Sequence, residues 1–345
     1  MIIPAFNAAE YIRETLHSVL AQTYRALEVI VVDDGSADAT GSIVKEFAKK
    51  DARVHLVRQC NAGVGAARNT AIRMARGEYI APMDADDVWF RQKLEKQVAC
   101  MELYGEETGL VYCWSIRVDN NGAFESFQPL IAAEGRLHDA MVSENFIDNA
   151  SVPLFRASAL ASVGPYLTRD EQGGAQGCED WDLYIRIAET FCIRLVPEYL
   201  VVYRRIGSSM SANVESMAAS YAVVMQRARQ RNPDLPAATF HFSAAGFYKY
   251  LANSSERSAL TSWTFYYLTK AVCADPSNLL TTWTLRKLIM AIPGSTWKKF
   301  VKQLWQSLKN RRGADLQCKT DKHAFTANAI FDQIERRWSM LHGQY

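Results

Sequence analysis

Several features are scarce in this chain, and each scarcity excludes something. No uncharged apolar run reaches the ~18 residues a membrane-spanning helix needs. No secretory signal is legible, because Met1-Ile2-Ile3-Pro4 has neither a basic start nor room for an apolar core. The seven cysteines are scattered and odd in number, with no C-x-x-C pair or His-Cys cluster, so a structural zinc is not expected and a reducing, cytoplasmic setting is. A surplus of one charge is also missing. The formal net charge is +2, against the large basic excess of proteins built to hold nucleic acid. No G-x-G-x-x-G is completed around Gly63-Val64-Gly65 and no G-x-x-x-x-G-K-[ST] occurs, which leaves dinucleotide and P-loop chemistry unsupported.

What is present is an ordinary globular composition, 49% hydrophobic and 22% charged over 345 residues, enough for two domains or one large domain with an extension. The first hundred residues alternate strand and helix. The chain opens inside what reads as a strand, Met1 to Ala5, which leaves room for residues upstream. Ile12, Leu16, Val19 and Leu20 follow at helical spacing. Val29-Ile30-Val31-Val32 is a β-branched run suited to a strand buried on both faces. Ile43, Val44 and Phe47 mark a second helix, Val54 to Val57 a third strand, Ala66 to Ala75 a helix, and Glu78 to Met83 a fourth strand. This alternation predicts an α/β fold with a mostly parallel sheet covered by helices on both faces.

In such sheets ligands bind beyond the C-terminal strand ends, where both acidic clusters fall. Asp33-Asp34-Gly35-Ser36 follows the second strand. A carboxylate there can accept hydrogen bonds from a ribose or base; equally, Asp34 and Ser36 suit a turn and a helix N-cap. Asp84-Ala85-Asp86 follows the fourth strand. Two carboxylates at that spacing suit a hard divalent cation that completes its shell with substrate phosphates, although short acidic turns are also common.

The order of motifs then carries a resemblance. Pro4-Ala5-Phe6-Asn7, Val31-Val32-Asp33-Asp34-Gly35-Ser36, Asn61-Ala62-Gly63 with Ala67-Arg68-Asn69, and Met83-Asp84-Ala85-Asp86-Asp87 come in sequence. Further on stand Asn149-Ala150-Ser151, Phe155-Arg156, Val163-Gly164, Glu179-Asp180-Trp181-Asp182-Leu183 with Arg186, Val196-Pro197-Glu198-Tyr199-Leu200 and Tyr203-Arg204. The series resembles the family 2 glycosyltransferases of GT-A fold, over about residues 1 to 211. The resemblance implies a Rossmann-like catalytic domain over 1–211 and leaves 212–345 as a helical C-terminal region. It implies that Pro4, Phe6, Asp34, Arg68 and Asp84 line the site of a nucleoside-diphosphate sugar. Asp84 and Asp86 would form the D-x-D motif for Mn2+ or Mg2+, with Asp86 the more direct ligand. Asp180 would be the general base on the acceptor hydroxyl, with Glu179 as the alternative.

A sugar hydroxyl is a poor nucleophile, so a positioned carboxylate must take its proton as the bond forms. One base opposite a departing diphosphate implies inversion at the anomeric carbon. Read alone, Glu179 and Asp180 equally suit the first turn of a helix, and Trp181 reads either as an acceptor-stacking ring or as a core aromatic. UDP is the expected carrier, with GDP or dTDP as alternatives, and the acceptor is expected to be a glycan or a lipid-linked glycan.

There are departures. The Gly-rich, acidic segment Tyr166–Cys178 lies where an acceptor-side loop is expected to order on substrate binding. Arg205-Ile206 stand where many relatives place a histidine. The Gln-x-x-Arg-Trp motif of processive synthases is missing, so addition of a single sugar is expected.

Past Ser211 the pattern turns helical over Tyr221–Arg229, Phe240–Ala252, Thr261–Ala274 and Leu279–Ile292. Residues 276–314 hold eight Lys and Arg with no Asp or Glu, leaving the rest of the chain at −6. Trp297, Phe300, Val301, Leu304, Trp305 and Leu308 share one helical face there. That face is expected either to meet anionic lipid at the inner membrane surface, as a peripheral contact, or to pack on the catalytic domain. Two other classes compete with a transferase. A non-catalytic nucleotide-sugar or glycan binder would be favoured by loss of one key aspartate, and Asp34, Asp84, Asp86 and Asp180 are all present. A nucleotidyltransferase predicts a Gly-rich, basic signature after the first strand, which Pro4-Ala5-Phe6-Asn7 does not supply.

Overall fold

The computed structural model describes residues 1–207, 210–257 and 260–276. Two compact units divide the chain, Met1–Thr281 and Thr282–Tyr345, and the described residues all lie in the first. The basic segment 276–314 past Pro276, and the helix expected over Leu279–Ile292, lie outside the described residues.

The N-terminal half follows the expected alternation. Strand β1 (Ile2–Ala5) leads to helix α1 (Ile12–Leu20), β2 (Val29–Asp33), α2 (Thr40–Lys50), β3 (Val54–Arg58) and α3 (Val64–Met74). The strands run parallel in the order β1-β2-β3, with Ile3 opposite Val31 and Val31 opposite Leu56. All five residues of β2 are buried, as a strand covered on both faces requires. Helix α1 buries Ile12, Leu16 and Val19.

The fourth strand is shorter than Glu78–Met83. Only β4 (Tyr79–Ile80) forms a regular ladder, pairing antiparallel with β8 (Leu154–Arg156). Pro82 brings no N–H. The chain there bridges Ile2 in parallel instead, through Ile2 N–H to the Ala81 carbonyl (3.0 Å) and Met83 N–H to the Ile2 carbonyl (3.0 Å). β1 is therefore flanked by β2 on one side and by residues 81–83 on the other. This puts the ends of three parallel segments side by side: Ala5-Phe6, Asp33-Asp34 and Met83-Asp84.

The expected parallel pattern does not extend through the second half of the sheet. After β5 (Val88–Trp89) and α4 (Lys93–Tyr104) come β6 (Thr108–Val118), β7 (Phe124–Phe127), α5 (His138–Ser143), β8, α6 (Ala157–Val163), α7 (Glu179–Thr190) and β9 (Cys192–Arg204). This sheet has six strands, in the order β4-β8-β6-β9-β5 with β7 on β6. Only β6–β9 is parallel. The long central pair β6 and β9 is fed on its flanks by short returning segments, which antiparallel pairing accommodates without a helical crossover.

Helices α8 (Val214–Arg231), α9 (Ala237–Arg257) and α10 (Thr261–Ala274) follow. α8 starts close to the expected boundary, capped by Asn213, whose side chain accepts from Ser216 N–H at 3.0 Å. It is no separate body. α8 buries Met217, Tyr221 and Val224, and Tyr221 stacks on Phe247 of α9 with ring centroids 4.1 Å apart. Trp181 of α7 packs against both rings (5.5 and 5.9 Å). Among the described residues no helix is long and apolar enough to cross a membrane.

Candidate active site

At the end of β1, Phe6 is 52% exposed while Pro4 is buried behind it. Asn7 turns the chain with φ of 50°, and its backbone N–H donates to Ser36 Oγ (2.9 Å) while its Oδ1 accepts from Ala37 N–H (2.9 Å). The turns after β1 and β2 are thus locked together.

Asp34 is 3% exposed and does more than end a strand. Its Oδ1 accepts from Gln59 Nε2 (2.8 Å) and Ala62 N–H (2.9 Å), and its Oδ2 from Gly63 N–H (2.9 Å). These three bonds fix the loop that enters α3 and leave one of a carboxylate's roughly four acceptor sites. The N-cap role open to Asp34 in the sequence is not taken; its neighbour Asp33 receives Ser36 N–H at 2.9 Å. Gly63 has φ of +89°, which a side chain would strain.

Arg68, on the first turns of α3, is 1% exposed. Its Nη2 donates to Asp84 Oδ1 (2.7 Å) and its Nη1 to Glu179 Oε1 (2.9 Å), and its guanidinium lies 5.3 Å from the Tyr166 ring centroid. Burial works against its charge, but Asp84 and then Glu179 hold its pKa above the usual arginine value. One buried cation thereby ties the strand-end aspartates to the Glu-Asp pair of α7, residues far apart in sequence.

Asp84 remains 30% exposed. Asp86 is half-buried, and burial followed by the adjacent Asp84 pushes its carboxyl up to about 7. Asp86, held protonated by its burial and by the Asp84 charge beside it, belongs to a donor set that a divalent cation would relieve. Among the described residues no third His, Cys, Asp or Glu joins them in a metal-holding group.

Supporting residues assigned no role from the sequence sit behind the pair. Buried Asp87 accepts from Ser151 Oγ and from Arg204 N–H (2.9 Å), Asp84 N–H donates to Ser151 Oγ (2.9 Å), and Arg204 Nε donates to the Asp86 carbonyl (3.1 Å). Ser151 and Arg204 stood inside quoted motifs, but their partners lie 64 or more residues away, as with Ser151–Asp87 and Arg204–Asp87.

Glu179 and Asp180 open α7 and differ sharply. Glu179 is 3% exposed, with one oxygen on Arg68 and the other accepting from Gly177 N–H (2.8 Å). Asp180 is half-buried, accepts from Trp181 N–H (2.7 Å), and lines a cavity of about 580 Å3. Burial, and then Glu179 beside it, push the Asp180 carboxyl up to about 7. Trp181 proves to be a core residue: it is 4% exposed and its indole N–H donates to the Met141 carbonyl (2.7 Å).

The segment before α7 is anchored rather than open. Asn69 exchanges two hydrogen bonds with the Tyr166 backbone (2.8 and 2.9 Å), and Ser220 Oγ donates to buried Gln172 (2.5 Å). Gly65 makes this packing feasible, since a Cβ there would lie 2.1 Å from the Leu167 carbonyl oxygen. Helix α8 holds the last residues, with Gln176 N–H donating to Ser216 Oγ (3.0 Å) and Cys178 N–H to Ser220 Oγ (2.9 Å).

Comparison with known proteins agrees with this geometry. The fold is that of the GT-A glycosyltransferases: a crystal structure of S. aureus TarS 1-349 in complex with UDP superposes with a TM-score of 0.56 at 19% identity, covering 89% of this chain and 90% of that one. Residues 1–147 match the family model described as Glycosyl transferase family 2. Glycosyltransferase GlyA of Streptococcus pneumoniae serotype 4 is 45% identical over 92 residues, 27% of this chain and 13% of that protein. Chondroitin synthase of Escherichia coli is 32% identical over 219 residues, 62% of this chain and 30% of that one. The chain thus spans less than a third of the length of either relative.

Proposed function

We propose that this protein transfers one sugar from a nucleoside-diphosphate sugar to a hydroxyl of a glycan or lipid-linked glycan, with inversion, in the synthesis of a surface polysaccharide or glycolipid. The observation that carries the reading is the Asp84–Arg68–Glu179 chain, which joins a strand-end acidic pair to buried Glu179, the residue next to the half-buried carboxylate of Asp180 that faces a cavity.

Phe6 and Asp34 receive the base and ribose, with Pro4 behind them. Asp86 and Asp84 would hold Mn2+ or Mg2+, whose charge would stabilise the departing diphosphate. Arg68 positions Asp84 and Glu179. Asp180 takes the acceptor hydroxyl's proton as that oxygen attacks the anomeric carbon, and the nucleoside diphosphate leaves from the opposite face. Inversion is supported by the difference between Glu179 and Asp180: with Glu179 bound on both oxygens, no second free carboxylate stands next to Asp180 at the start of α7, among the described residues, to form a covalent sugar intermediate. UDP is the expected carrier, in line with the UDP complex of TarS. We place the reaction in the cytoplasm, at the inner membrane face where the acceptor is lipid-linked.

The test is to incubate the full chain with Mn2+ and a panel of UDP-, GDP- and dTDP-sugars and to measure released nucleotide. Acceptor-dependent release with one donor class, lost on chelation and in Asp86→Asn, is expected. Release of pyrophosphate from a sugar phosphate and a nucleoside triphosphate would point to nucleotidyl transfer instead.

A further inference from the structure

The cavity that Asp180 faces has an unusual charge arrangement on the wall contributed by β6, the end of β9 and α9. Arg117, Arg205, Lys249 and Arg257 line it. Arg117 is paired with Asp148 (2.5 Å) and Arg205 with Glu125 (3.2 Å), whereas Arg257 has no carboxylate partner among the described residues. Burial, then Arg205, and also Arg117, lower the pKa of Arg257, with Tyr250 and the Glu125 carboxylate acting the other way. Like charges gathered on a partly desolvated wall are costly unless an anion joins them. Two other carboxylates line the cavity besides the paired Asp148. Asp180 is the proposed base and Glu144 is exposed.

On the same wall, Phe242 and Tyr250 of α9 are 58% and 38% exposed. Exposed rings in a concave site with a few convergent polar groups suit an amphipathic ligand, such as a sugar with its C–H face against the ring.

We propose that this cavity is the acceptor site and that it takes an anionic acceptor: a sugar or polyol chain bearing a carboxylate or phosphate, held by Arg205 and Arg257 while its hydroxyl meets Asp180. The inference rests on the reading of Asp180 as the base. It makes α9, outside the matched family region, a determinant of acceptor specificity. It also gives a function to Arg205, which stands where the family resemblance leads one to expect a histidine.

The experiment is calorimetric titration of the full chain, saturated with UDP and Mn2+, with three tetramers: a neutral glucose tetrasaccharide, its glucuronate counterpart and a glycerol-phosphate tetramer. A charged tetramer should bind at least about tenfold tighter than the neutral one, the size of one charge-assisted hydrogen bond. The two charged arms separate carboxylate from phosphate recognition. The double variant Arg205→Gln/Arg257→Gln should lose this preference while keeping its affinity for UDP, which also reports that it has folded. Equal binding of all three tetramers, no binding of either charged one, or a preference that survives in the double variant would each overturn the proposal. Failure of the base assignment reads out separately: charged tetramers would still bind selectively, but Asp180→Asn would transfer sugar normally.

Discussion

On the proposed donor side, Phe6, Asp34 and Asp84 follow three adjacent parallel segments, and the loops carrying them are held largely by one another, as Asp34 holds residues 62 and 63. On the proposed acceptor side, Asp180 opens a helix whose approach is held by Ser216 and Ser220 of α8, and the cavity before it is closed by α9. The donor half is built by the local logic of a parallel sheet, which gathers strand ends along one edge. The acceptor half is assembled from segments distant in sequence. Donor recognition can therefore stay constant while a change in the C-terminal helices retunes the acceptor, and Arg68, touching Asp84 and Glu179, is where the halves meet.

The sharpest test of this division is Asp180→Asn. Loss of a general base costs about 10²–10⁴-fold in kcat, and UDP affinity should be unchanged, because the base belongs to the acceptor half. Turnover near the wild-type value would remove Asp180 from its role. The pH dependence sharpens the point. A base with its pKa pushed up to about 7 must be ionised to act, so kcat should rise with pH to about 7 and level off above it. Stability has the opposite slope. Because the folded pKa lies above the ordinary aspartate value of 3.8, the native state holds this proton more tightly than the unfolded chain does. Its contribution to stability is present below about pH 4 and is lost as pH rises through about 7. Thermal melts of Asp180→Asn should lack that decline.

Arg68→Met should damage both halves at once. Removing one partner of a buried ion pair costs about 3–5 kcal/mol, here with two carboxylates left behind. Urea unfolding should show a loss of that order together with weakened UDP binding. A loss confined to acceptor turnover would show that the halves are less coupled than the Asp84–Arg68–Glu179 chain indicates.

Gly65→Ala tests the seam between α3 and the 166–178 segment. A methyl 2.1 Å from the Leu167 carbonyl oxygen cannot fit without displacing backbone, an overpacking cost of about 1–3 kcal/mol. The acceptor KM should rise more than the donor KM, and equal rises would mean that the segment serves both sites. The smallest effect is expected at Lys93, wholly buried in α4 beside Trp89, with its pKa lowered to about 7 by burial. Lys93→Met should raise the melting temperature. The gain should be largest at or below neutral pH and shrink toward about pH 10, since the native state disfavours the charged lysine that the unfolded chain retains.

The sequence by itself determined the N-terminal alternation, the positions of the acidic strand ends and the resemblance to a family, because those signals are short-range: β-branched runs, helical spacing and motifs a few residues long. Helix α10 was legible to the residue, Thr261–Ala274, for the same reason. Only the tertiary structure decided that Glu179 is tied up by Arg68 while Asp180 faces a cavity, that Trp181 is core, and that every pairing in the second half of the sheet except β6–β9 is antiparallel. It also decided that Asp87, Ser151 and Arg204 brace the D-x-D turn and that α9 walls the cavity. Each of these depends on partners tens to more than a hundred residues apart. Neighbouring carboxylates such as Glu179 and Asp180 look alike in a sequence, and only the packing around them determines which one keeps a free oxygen.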